Sequence, residues 1–126
     1  MAIAGALAMA SHYLVLDEPT SMLDPKRRSM VIDSLKKLYA DMGMGIIYVT
    51  NIMEEALLAQ RVLVLEDGQV IKDAPPSEVF SDYDWLRERN LNMPHICRLG
   101  WMLAEAGFEN YRGLLSREDM LEELCK

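Results

Sequence analysis

Asp17 and Glu18 are adjacent carboxylates that directly follow a continuous apolar run, Tyr13-Leu14-Val15-Leu16. Such a run reads as a strand buried on both faces of a parallel sheet. In open α/β sheets, ligands bind just outside the carboxyl ends of the strands. Two acids at that edge therefore suit ligand chemistry. The plainer alternative is that they only begin the turn at Pro19, and an isolated acidic pair does not choose between these readings. His12 and His95 have no partner at metal-ligand spacing and read as ordinary surface or partly buried residues. Cys97 and Cys125 form no C-x-x-C pair, as expected of incidental thiols in an intracellular chain.

The surrounding pattern supplies the scaffold. Pro25 suits the first position of a helix, with Asp24 before it as N-cap. Val31, Leu35, Leu38 and Met42 then recur as one helix face, and Gly43 ends it. Gly45-Ile46-Ile47-Tyr48-Val49 is a second buried strand, Ile52 to Ala59 a short helix, and Arg61 to Glu66 a third strand. Asp67-Gly68 is the two-residue signature of a tight hairpin leading to Gln69–Lys72. Alternating strands and helices predict an α/β fold with a parallel sheet. After Pro75-Pro76 only helices are expected: a turn at Ser77–Phe80, then Tyr83–Arg89, then a helix opened by Pro94. Ile96, Leu99, Leu103 and Ala106 share one face of that helix. Ser116 to Asp119 has capping-box spacing before Met120, Leu121 and Leu124.

Charge and composition exclude several classes. The 126 residues carry 13 Lys and Arg against 20 Asp and Glu, a net charge of −7, which argues against nucleic acid as a partner. With 51% hydrophobic and 26% charged residues the chain is globular and not disordered as a whole. The ten methionines read as flexible core filling. Met1 to Leu16 contains no charged residue, with His12 taken as neutral, but no Lys or Arg precedes the apolar stretch as in a signal peptide, and Asp17-Glu18-Pro19 ends it too early for a membrane helix. An Ala-rich helical end, Ala2 to Ala10, running into the first strand is the remaining reading.

The run Asp17-Glu18-Pro19-Thr20-Ser21-Met22-Leu23-Asp24-Pro25 closely resembles the Walker B and D-loop block of ABC-type ATPases. The resemblance implies a partial P-loop NTPase sheet with helices, and a role for each residue. Asp17 would hold Mg²⁺ shared with nucleotide phosphates. Glu18 would act as general base or orient the attacking water. Asp24 would belong to the D-loop that communicates between two nucleotide sites, alongside its plainer role as an N-cap. Tyr48-Val49-Thr50-Asn51 continues the resemblance, except that the family has a histidine where Asn51 stands. Asn can donate an amide hydrogen bond but has no titratable nitrogen. The change reads as impaired hydrolysis, or as drift with a weaker γ-phosphate contact.

Arg61 to Phe80 resembles the end of an ABC ATPase domain, and Leu91-Asn92-Met93-Pro94-His95-Ile96 resembles the extension of energy-coupling-factor ATPases, the cobalt-importer type. This places an ATPase part at residues 1–81 and a helical extension at 82–126. Met1 to Ala8 resembles the helix that follows the family's signature motif. No G-x-x-x-x-G-K-[ST] phosphate loop, Q-loop or signature motif occurs in the sequence. The chain therefore reads as the carboxyl-terminal part of an ATP-hydrolysing importer subunit, inactive alone. The resemblance implies ATP and Mg²⁺ as cofactors of the complete subunit. It also implies a second ATPase subunit and a transmembrane subunit as partners, and a place on the cytoplasmic face of the membrane. A non-enzymatic module acting in subunit association is the alternative. A phosphoacceptor receiver fits poorly, since no earlier acidic strand and no later lysine are in order.

Overall fold

The computed structural model describes residues 12–126. The helical end expected at Ala2–Ala10, and the segment Met1–Ala8 likened to the post-signature helix, lie outside the described residues. The chain divides between Asn51 and Ile52 into two compact units.

In the first unit, β1 (Tyr13–Asp17) and β2 (Gly45–Val49) form a parallel pair, joined through α1 (Pro25–Met42). The register sets Leu14 opposite Ile46, Leu16 opposite Tyr48 and Asp17 opposite Val49. Local signals set both ends of α1. The Asp24 carboxylate accepts from the Arg27 N–H at 3.0 Å, and Pro25 occupies the first turn. Gly43 closes the helix at φ 61°, a left-handed conformation that glycine adopts without steric cost, and its N–H donates to the Tyr39 carbonyl. Leu14, Leu35 and Met44 form the core, with Leu16, Val31, Leu38, Ile46 and Tyr48 packed against it.

Two expectations change here. The strands are not buried on both faces: Tyr13, Val15, Ile47 and Val49 are exposed. Side chains alternate along a strand, and the single crossover helix covers only the face carrying Leu14 and Leu16. Met42, placed by periodicity on the core face of α1, is exposed, and Met44 beyond the glycine takes the buried position instead.

In the second unit, α2 (Met53–Ala56) is a single turn, shorter than the helix expected over Ile52–Ala59. Its first residues lack a side-chain cap, and only one turn of backbone bonds forms. β3 (Val62–Glu66) and β4 (Gln69–Ala74) make the expected hairpin, with Asp67 at φ 49° and Gly68 at φ 77° in its turn. They form a separate antiparallel sheet, so the parallel sheet of the described residues has two strands and β3 is not one of them. Val62 and Val64 pack on a core of Ala74, Val79, Phe80, Leu86, Met93 and Cys97, while Leu63 and Leu65 stay exposed. Burial pushes the Cys97 thiol up to about 11.

Four further helices complete this unit: α3 (Pro76–Val79), α4 (Tyr83–Glu88), α5 (His95–Glu105) and α6 (Arg117–Leu124), with a 3₁₀ turn at Glu109–Tyr111. Asp82 caps α4 by accepting from the Trp85 N–H, and Ser116 with Asp119 forms the predicted capping box of α6. The Trp85 ring has Lys72 Nζ and Arg89 Cζ each 4.5 Å from its centroid. Trp101 stacks on Tyr83, with ring centroids 4.3 Å apart.

The inward stripe of α5 is offset from the one expected. Cys97, Gly100 and Ala104 are buried, whereas Leu99 is exposed. At Gly100 the 3₁₀ turn lies close: a Cβ there would run into the Tyr111 carbonyl oxygen. Gly100→Ala is accordingly expected to lower folding stability by about 1–3 kcal/mol, as overpacking does. A urea midpoint unchanged by the substitution would show that the turn gives way freely.

Candidate functional site

The site is built where β1 and β2 end side by side. Asp17 is the last residue of β1 and exposed. The ladder continues one residue further, because the Glu18 N–H donates to the Val49 carbonyl at 2.8 Å. Glu18 then turns the chain with φ 43°, a left-handed conformation uncommon for a residue with a Cβ. Its carbonyl accepts from the Ser21 N–H at 3.3 Å and the Ser21 hydroxyl at 3.0 Å. An exposed carboxylate pair thus stands at a sharp strand-to-loop turn, with its backbone held to the neighbouring strand.

Asn51 lies two residues beyond Val49, exposed in the bend after β2. Parallel pairing therefore brings Asp17, Glu18 and Asn51 to one edge of the sheet. Asp24 is not part of that edge cluster by its own contacts. It caps α1, and its Oδ2 lies 3.3 Å from Arg27 Nε.

Thr20 is a component that motif reading did not single out. It is 1% exposed, and its hydroxyl shares a hydrogen bond of 3.1 Å with that of Tyr48 on β2. Its position within the DEPT run was the available signal; its partner, 28 residues away, was not.

The donor chemistry suits a hard divalent cation. Asp17 offers an exposed carboxylate at the strand end, and Mg²⁺ characteristically takes one or two protein carboxylates with substrate phosphates. Among the described residues no group of three His, Cys, Asp or Glu side chains could enclose a metal. No helix among them is long and apolar enough to cross a membrane.

No family model matches the chain. It is 40% identical over all of its 126 residues to the energy-coupling factor transporter ATP-binding protein EcfA1 of Caldanaerobacter subterraneus, covering 46% of that protein. It is 41% identical over 125 residues to the cobalt import ATP-binding protein CbiO of Syntrophus aciditrophicus, covering 44%. The chain thus spans about half the length of the relatives it matches. Among solved structures, cbiO1 from Clostridium perfringens, part of the ABC transporter complex cbiONQ, superposes with a TM-score of 0.60 at 36% identity. That match covers 82% of this chain and 40% of the other.

Proposed function

Because this chain belongs to the ABC transporter ATP-binding proteins of the energy-coupling-factor type, we propose that it supplies the Walker B, D-loop and switch-loop side of an ATP-hydrolysing site. The complete subunit energises uptake of a vitamin or a metal ion. The observation that carries this reading is the strained turn at Glu18, set directly after Asp17 and tied to the strand that leads into Asn51. Backbone strain of this kind persists where surroundings over-determine it, and it concentrates at working sites.

Asp17 is the residue that would hold Mg²⁺, and Glu18 the one that would orient or deprotonate water. Mg²⁺ bound with ATP would supply charge neutralisation at the phosphate oxygens. Asn51 would donate its amide to the terminal phosphate. Asp24 keeps its N-cap while serving the D-loop toward a second nucleotide site.

Residues 1–81 form the ATPase part and 82–126 the extension in this reading. The partners are a second ATPase subunit and a transmembrane subunit, with the protein peripheral on the cytoplasmic face. The kinship with cbiO1, part of the cbiONQ complex, supports those partners. The exposed Leu99, Leu121 and Leu124 offer the extension apolar contact area.

The 126-residue sequence holds no phosphate loop, and positioning supplies most of phosphoryl-transfer catalysis. The chain alone is therefore expected to release phosphate from ATP no faster than buffer. Joined to a segment carrying the phosphate loop and signature motif, it is expected to turn over. Absence of hydrolysis in that joined protein, even with Asn51→His, would favour a non-enzymatic role in subunit association.

A further inference from the structure

We propose that Tyr48 is a positioning residue for hydrolysis. Its hydroxyl, bonded to that of Thr20, ties the loop that carries Glu18 to the strand that leads into Asn51. The inference rests on the functional reading above. Thr20 is buried, and buried hydroxyls are hydrogen-bonded as a rule, so this contact is part of the packed structure. It spans 28 positions and so constrains the loop against β2 in a way no local turn bond can.

Two ties run from this loop to consecutive residues of β2. The Glu18 N–H reaches the Val49 carbonyl at 2.8 Å, and the Thr20 hydroxyl reaches Tyr48 at 3.1 Å. Between them the Glu18 backbone sits at φ 43°, which needs external restraint. Thr20 also anchors the rest of the turn, since its carbonyl accepts from the Leu23 N–H at 3.0 Å. Without the hydroxyl tie, the loop that carries Glu18 would keep one restraint fewer against β2, and the position of the Glu18 backbone would be held less tightly. Tyr48 packs among Leu14, Leu35 and Met44, on the face covered by α1. It therefore acts through the loop and not on substrate.

Tyr48→Phe keeps the ring and its packing while deleting the tie. In the complete ATP-binding subunit it is expected to lower kcat about tenfold with KM for ATP within about twofold, the mark of an interaction used mainly in the transition state. Thr20→Val should do the same, Thr20→Ser should retain activity, and the double variant Thr20→Val/Tyr48→Phe should be no slower than the slower single one. Amide hydrogen exchange over residues 18–23 of the 126-residue chain should accelerate in Tyr48→Phe. Unchanged kcat, multiplying losses in the double variant, or unchanged exchange would each overturn the proposal. Loss of all hydrolysis in the unsubstituted subunit would instead defeat the functional reading, and exchange would still decide whether the tie holds the loop.

Discussion

Replacing Asn51 by histidine in the complete ATP-binding subunit is expected to raise turnover, by up to about 10²–10³-fold, the worth of one whole preorganised donor to transition-state charge. Asn51 stands exposed just beyond β2, at the edge shared with Asp17 and Glu18. An asparagine amide donates a hydrogen bond from that place but cannot carry a proton or a positive charge. A histidine adds both possibilities to a phosphate whose negative charge redistributes during transfer. Because the gain falls on the transition state, Mg-ATP affinity should stay within a few-fold. Steady-state phosphate release at saturating Mg-ATP measures the effect, and an unchanged rate would mean that asparagine serves as well as histidine.

Glu18 should respond to substitution in two opposite directions. Glu18→Gln removes the proton acceptor at nearly constant shape and is expected to lower turnover by about 10²–10⁴-fold. Glu18→Gly should abolish hydrolysis as fully, yet raise folding stability by about 1 kcal/mol, since glycine accepts φ 43° without the Cβ conflict. Phosphate release and a urea midpoint on the same variants separate the two effects. If Glu18→Gly were less stable than the parent, the carboxylate itself would be holding the turn, and strain would not be the right description.

Features encoded by neighbouring residues were legible in the sequence. Asp24 with Pro25, Gly43, Asp67 with Gly68, and Ser116 with Asp119 each act within a few positions, and the structure has all four devices. The edge that gathers Asp17, Glu18 and Asn51 follows from parallel pairing of two apolar runs, which the pattern implied. Other features depend on what lies across the fold. Nothing in a glutamate announces a left-handed backbone; the Val49 carbonyl and the turn at Ser21 impose it. The Thr20–Tyr48 bond joins residues far apart in sequence. The inward stripe of α5 differs from the periodic one because periodicity favours large apolar residues, while the close Tyr111 carbonyl demands glycine at position 100. The open face of β1 and β2 is not legible in the sequence, because continuous apolar runs imply cover on both sides, and the crossover helix covers only one.

Trp85 with Lys72 and Arg89 against its ring, and Trp101 on Tyr83, have a consequence for spectroscopy. These are the protein's two tryptophans, and both lie beyond Asn51. Indole emission is therefore a private signal of the second unit, while the tyrosine signal is shared, from Tyr13, Tyr39 and Tyr48 in the first unit and Tyr83 and Tyr111 in the second. Coincident indole and tyrosine melting curves would mark one cooperative transition, and separated curves two. Any part of the tyrosine change that does not follow the indole curve belongs to the first unit, and so tells whether the two melt together.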